Sequence, residues 1–155
     1  MINKHIEYFL MKQSDTFLKP ASEVAVLLNE HNVSHAKLLL SQYQYSKVPV
    51  INQAHEFVGI LGWTDIINFE MKHDFFYDKS DKTPISEIVN TAVPTIQKDY
   101  ELKEILHLMV KEPFLPVLKG REFYGIIPRQ EILKAFNAFA HNFTKEYEII
   151  ERKKD

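Results

Sequence analysis

Val48-Pro49-Val50-Ile51, the polar turn Asn52-Gln53-Ala54-His55-Glu56, and Phe57-Val58-Gly59-Ile60-Leu61 read as two short β-strands joined by a tight connection. The same grammar returns as Leu115-Pro116-Val117-Leu118, the turn Lys119-Gly120-Arg121-Glu122, and Phe123-Tyr124-Gly125-Ile126-Ile127. Pro49 and Pro116 lie 67 positions apart and Gly59 and Gly125 lie 66 apart. The one-residue difference falls in the turn, where changes of length are best tolerated. Working outward, Val33, Ala36, Leu39 and Leu40 recur at helical spacing before the first strand pair, and Leu102, Ile105, Leu108 and Met109 do so before the second. Each of these helices follows a strand-like run, Val24-Ala25-Val26-Leu27-Leu28 and Val93-Pro94-Thr95-Ile96. A further helix follows each strand pair, from Asp65 and from Pro128. The unit is β-α-β-β-α, used twice.

The expected layout is an N-terminal helix (1–13), a first repeat (14–72), a polar linker (73–84), a second repeat (85–140) and a helical tail (141–155). A unit of about 60 residues closes its own core poorly, so the copies should pack together with pseudo-two-fold symmetry as one α/β (α+β) fold. Clefts then form between the copies, each drawing on both halves of the chain.

Composition narrows the chemistry. The 155 residues are 45% hydrophobic and 26% charged, with a formal net charge of −2. That balance disfavours a nucleic-acid binder, whose affinity comes from clustered Lys and Arg. The absence of cysteine removes disulfides, thiolate catalysis and zinc-thiolate sites. No run approaches the roughly 18 apolar residues of a membrane span. The start Met1-Ile2-Asn3-Lys4-His5-Ile6-Glu7 places charges where a signal peptide needs its apolar stretch, so a cytoplasmic protein with no membrane partner is expected.

The repeated pattern resembles a tandem pair of CBS domains, a Bateman module. That family shows an apolar-Pro-apolar-apolar strand, a turn, then Gly-apolar-apolar-Thr/Ser-x-x-Asp-apolar, matched here by Val48 to Ile51 with Gly59-Ile60-Leu61-Gly62-Trp63-Thr64-Asp65-Ile66. The second copy gives Leu115 to Leu118 with Gly125-Ile126-Ile127-Pro128-Arg129-Gln130-Glu131-Ile132. The family Thr/Ser is Gly62 in one copy and Pro128 in the other, and the Asp that usually holds a ribose is Asp65 and then Glu131. The chain is further similar to the stand-alone CBS proteins of Gram-positive bacteria that bind cyclic di-AMP, the CbpB or DarB group. It shares with them Val24-Ala25, Ala36 with its Leu-rich sequel, Tyr45, and Gly-Ile-x-x-Arg at Gly125 to Arg129. Relatives typically have Lys in place of Glu23 and Arg in place of Gln130.

The resemblance implies where a ligand sits. A cleft in this family joins the first strand and pre-strand loop of one copy to the strand-to-helix turn of the other. It would bring Val24, Ala25, Val26 and Leu27 together with Tyr45, Ser46, Lys47, Val48 and Pro49, facing Arg129 and Gln130. Exposed backbone at 25–27 would read an adenine edge, with Ser46 and Lys47 reaching ribose or phosphate. Pro128 suits the first helical position, the helix N-terminus beyond it favours an anion, and Arg129 adds a bidentate phosphate partner. The opposite cleft would combine Val93, Thr95, Phe114 and Pro116 with Trp63, Thr64 and Asp65, and without a cation in its turn it is expected to be empty or to take a less charged nucleoside. Other readings stay open at each position: a solvated or ion-paired Arg129, a packed Tyr45, a solvated Lys47, a packing Trp63, and Asp65 as an N-cap.

No His-Glu-x-x-His, Gly-x-x-x-x-Gly-Lys-Ser/Thr, Gly-x-Ser-x-Gly or Gly-x-Gly-x-x-Gly arrangement occurs, so neither an enzyme nor a metal cofactor is expected. Ile2, Ile6, Phe9 and Leu10 form one apolar stripe and Phe136, Phe139, Phe143 and Tyr147 another. With the family resemblance these point to a homodimer. The reading is a sensor of adenine nucleotide, with cyclic di-AMP first and AMP, ADP or ATP as the alternative. Family resemblance implies regulation of a protein such as the stringent-response synthetase/hydrolase or pyruvate carboxylase. A rival of another class is a ligand-free CBS dimer acting as an interaction scaffold.

Overall fold

The computed structural model describes residues 1–13 and 17–153. The expected start of the first repeat at 14 and the last two residues of the tail lie outside them. The chain runs α1 (Lys4–Met11), β1 (Lys19–Pro20), β2 (Leu27–Leu28), α2 (Val33–Tyr43), β3 (Lys47–Ile51), β4 (Phe57–Gly62), α3 (Trp63–Lys72), α4 (Tyr77–Lys82), β5 (Ile96–Gln97), α5 (Leu102–Met109), β6 (Phe114–Lys119), β7 (Glu122–Pro128) and α6 (Arg129–Asn142). Each repeat keeps its β-α-β-β-α order. β2 lies parallel to β3, and β5 to β6, through a helical crossover, while β3–β4 and β6–β7 are antiparallel.

The two sheets are not closed by their own repeats. One has the order β2-β3-β4, and the other is β1-β7-β6-β5, with β1 from the front of the first repeat added to the second. The reciprocal crossing is made by Asn90, whose N–H and carbonyl exchange 2.9 Å hydrogen bonds with Ile60 of β4. Core residues cross with the backbone. Phe17 is buried with Leu115, Val117 and Ile127 of the second repeat, and Ile85, 68 positions later, with Leu27, Val50 and Leu61 of the first. Burying each such side chain stabilises by roughly 1.5–3 kcal/mol. The glycines of the repeated motif stand beneath these crossings. A Cβ at Gly59 would lie 2.4 Å from the Asn90 carbonyl oxygen, and one at Gly125 would lie 2.3 Å from that of Lys19.

A pseudo-dyad relates the copies. Phe57 N–H donates to the Arg121 carbonyl at 3.0 Å, and Phe123 N–H donates to that of His55 at 2.9 Å. These bonds interchange under the 66-residue shift, and the Phe57 and Phe123 rings stack between them at 6.2 Å.

Three local expectations are corrected. The strand-like runs shrink to Leu27–Leu28 and Ile96–Gln97, because a 3₁₀ turn at Ala21–Glu23, closed by Val24 N–H to Ala21 O, feeds residues 24–26 past the sheet. The linker is not simply solvated. It contains α4, with Asp78 in its first turn and Lys79 and Lys82 in its last, complementing the helix dipole. That helix is pinned to α2 by Val33 N–H to Thr83 O and by Ser34 and Asn32 bonds to Asp81, and Ser80 is only 2% exposed. In the tail, helix ends at Asn142, a 3₁₀ turn covers Phe143–Lys145, and residues 146–153 are neither helix nor strand. The two terminal stripes meet each other: Phe9, 1% exposed, packs edge-on against Phe139 at 5.8 Å and Phe143 at 5.6 Å. Most of their apolar surface is therefore spent within the chain. Among the described residues no helix is long and apolar enough to cross a membrane.

Candidate functional site

Where the unpaired segment after the first 3₁₀ turn runs beside the start of β3, a cavity of about 230 Å³ opens between the repeats. One wall comes from the first repeat: Val24 and Ala25, then Tyr45, Lys47, Val48 and Pro49. The facing wall is Pro113, Phe114, Ile126, Pro128 and Gln130 of the second repeat, with Lys19 of β1 between them. The lining is apolar apart from the Tyr45 hydroxyl, the Gln130 amide and two ammonium groups, and it carries no carboxylate. Such a wall suits a flat heteroaromatic body bearing a negative charge.

Local structure places each group. Gln44, left-handed at φ 54, ends α2 and turns Tyr45 to the mouth, where its ring stacks on Tyr43 at 5.9 Å and 12°. A Cβ at Gly62 would lie 2.9 Å from Lys47 Cγ, so the lysine stem is laid across the end of β4 where the family has Thr or Ser. Trp63 N–H donates to Ser46 O at 3.2 Å, and its counterpart Arg129 N–H donates to Pro113 O at 2.9 Å. In both copies the first helical residue is thereby tied to the loop before the proline strand. The α6 N-terminus has no side-chain cap, and Pro128 and Gln130 bring it to the cleft.

Of the expected contact residues, Val24, Ala25, Tyr45, Lys47, Val48, Pro49 and Gln130 come together, whereas Val26, Leu27, Ser46 and Arg129 do not line the cavity. Leu27 pairs with Val50 and is buried in the first-repeat core. Val26 is half-buried off the wall, and Ser46 is exposed, contributing its carbonyl to Trp63. Pro128 is not the first helical residue but the end of β7 and the N-cap, so the helix starts at Arg129. Successive helical residues point about 100° apart, so Gln130 faces the cleft while the half-buried Arg129 is turned aside.

The residues expected in the second cleft take several places in the structure. Phe114 lines the first cavity, and Pro116 is buried within β6. Asp65 is not an N-cap. It stands at the third helical position, where its Oδ2 accepts from the N–H of the cap residue Gly62 at 2.8 Å, and it lines a different cavity with Asn68, Lys72, His73 and Glu87. Trp63 is half-buried against the first-repeat core, and Thr64, Val93 and Thr95 line none of these cavities.

Lys19, Pro113, Ile126 and Pro128 escaped the sequence reading. A two-residue strand leaves no periodic signal, yet glycine inside a strand marks the close approach of another backbone. Gly125 held that information, since the segment over it carries Lys19 into the cleft.

Two crossed repeats around an inter-repeat cleft define a tandem CBS pair. Residues 19–72 and 85–138 both match the CBS domain family, and the chain belongs to it. Over 94% of its length it is 24% identical to the whole of cyclic di-AMP receptor B of Bacillus subtilis (strain 168). The crystal structure of CbpB from Streptococcus agalactiae is similar with a TM-score of 0.88 at 39% identity, covering 97% of this chain and 96% of that one. A crystal structure of CbpB in complex with c-di-AMP matches with a TM-score of 0.82 at 39% identity, over 93% of this chain and 97% of that one. Among the described residues no group of three or more His, Asp or Glu is placed to hold a metal ion.

Proposed function

We propose that this protein is a non-catalytic adenine-nucleotide sensor acting in the cytoplasm. It takes cyclic di-AMP into the inter-repeat cleft and engages a regulatory protein target differently in its bound and free states. The observation that carries this reading is the cleft itself, an apolar slot with two ammonium groups and no carboxylate on its wall, in a chain similar along nearly its whole length to a protein crystallised with c-di-AMP. Val24, Ala25, Pro49 and Phe114 sandwich an adenine, Tyr45 closes its mouth, and Lys19 and Lys47 meet the phosphates beside the α6 N-terminus. Regulation requires only that ligand and target prefer different states, with a coupling of about 1–3 kcal/mol.

Thermal unfolding with added nucleotide tests the reading. A ligand at about 100 times its Kd stabilises by roughly 2.7 kcal/mol, which raises the midpoint of a chain this size by about 5–10 °C. Cyclic di-AMP should produce that shift in the parent and much less in Lys47→Ala. No shift with cyclic di-AMP, AMP, ADP or ATP leaves the scaffold reading in its place.

The homodimer is proposed to use the faces of α3 and α6 rather than the terminal stripes. Ile67 and Met71 on one, and Leu133 on the other, are exposed, and Ile67 and Leu133 are equivalent under the 66-residue shift. Ile67→Glu with Leu133→Glu should turn a dimer into a monomer in light scattering, and an unchanged mass refutes the placement.

A further inference from the structure

The cleft continues into a second cavity of about 360 Å³, lined by Phe17, Leu18, Lys19, Glu23, Pro128, Gln130 and Glu131. Lys19, Pro128 and Gln130 belong to both, so the two form one trough. Its halves differ in charge. The inner half has Lys19 and Lys47 and no carboxylate, and the outer half adds Glu23 and Glu131. Glu23 ends the 3₁₀ turn, is exposed, and has no ion-pair partner among the described residues. Glu131 is met by Lys134 at 2.9 Å, an exposed contact that compensates it only in part.

We infer that Glu23, seconded by Glu131, is a specificity element that turns away nucleoside polyphosphates and leaves the trough to ligands whose phosphates are singly charged diesters. The inference rests on the proposed nucleotide site. At about 230 Å³, the inner cavity is smaller than the roughly 300–1,000 Å³ usual for small-molecule sites. Anything longer than a nucleoside with its first phosphate, a cyclic dinucleotide included, outgrows the inner half, and the trough continues past Lys19, Pro128 and Gln130 into the outer one. A polyphosphate chain brings several negative charges in a row to two carboxylates. A cyclic dinucleotide keeps one charge on each phosphorus, held within its ring near the lysines. Discrimination by like-charge repulsion needs no extra contact to the favoured ligand, and it matters most against an abundant competitor such as ATP.

Calorimetric titration of cyclic di-AMP, AMP and ATP, without magnesium, into the parent protein and Glu23→Gln, Glu23→Lys and Glu23→Gln/Glu131→Gln variants tests this. Neutralising Glu23 should tighten ATP by about tenfold, equivalent to ~1.4 kcal/mol, and cyclic di-AMP by less than about twofold. The charge reversal should tighten ATP further, and the preference of the parent for cyclic di-AMP should narrow as added salt shortens the screening length. If cyclic di-AMP binds while its affinity ratio to ATP is the same in every variant, or ATP binds none of them, the filter is refuted and the nucleotide site stands. If no adenine nucleotide binds the parent or any variant, the nucleotide reading itself has failed.

Discussion

Gly125→Ala tests the crossing of the repeats directly. The added Cβ would stand 2.3 Å from the Lys19 carbonyl oxygen and 2.9 Å from Leu18 Cδ1, where ordinary contact begins near 3.4 Å, so β1 must retreat by about 1 Å. Its neighbour is backbone held in an antiparallel pair, Lys19 opposite Ile126 and Pro20 opposite Gly125, and cannot swing away as a side-chain tip does. Overpacking of this kind costs about 1–3 kcal/mol, and weakening one ladder hydrogen bond adds about 1 kcal/mol. The expected loss is therefore about 3 kcal/mol, or roughly 6–12 °C in Tm for a chain of this length. Urea unfolding at constant m-value measures it. Gly120→Ala is the control: Gly120 has φ +64 and no atom within 4 Å of a built Cβ, so only backbone strain of about 1–2 kcal/mol remains. Gly59→Ala should match Gly125→Ala, because its Cβ would lie 2.4 Å from the Asn90 carbonyl. A Gly125→Ala variant no less stable than Gly120→Ala would refute the crossed packing.

Phe9→Ala should cost about 3–5 kcal/mol, since the ring is buried between α1 and α6; a loss below about 1 kcal/mol in urea unfolding would show that the terminal helices are not docked. Burial, and secondarily the nearby His35, lower the pKa of His31 from its usual 6.5, and the neutral Nδ1 accepts from Leu28 N–H at 3.3 Å. The depressed value means the unfolded chain takes up the proton first. The contribution of His31 is therefore complete above about pH 6.5 and lost as the pH falls through its lower folded value. Urea midpoints of parent and His31→Gln compared at pH 7.5 and pH 5 should show a shallower decline in the variant, and parallel declines would assign the acid sensitivity to other groups.

The fold was legible because a proline strand and a glycine strand recur in register, and such pairs fix both the hairpins and the helices between them. The inner wall of the cleft followed from the family resemblance, which implied Tyr45, Lys47 and Pro49 opposite the β7–α6 turn. What escaped has physical causes. Tyr77-Asp78-Lys79-Ser80-Asp81-Lys82 lacks apolar periodicity, and α4 exists through its bonds to α2. Lys19-Pro20 pairs over only two residues, too few for an alternating pattern. The orientation of Arg129 depended on one residue of helical phase, since starting α6 one position later than expected turns Gln130 to the cavity in its place.

The strand exchange gives the ligand a mechanical role. β1 both completes the second sheet and presents Lys19 to the cleft, so fraying of the N-terminal arm removes a sheet edge and a binding group in one event. The free energy of opening that arm is then a component of the apparent affinity, and occupancy should slow amide exchange at 17–19 and at the facing residues of β7 more than at β3. By reciprocity, any macromolecule that grips the arm in its opened form loosens the ligand by the same factor as the ligand loosens it.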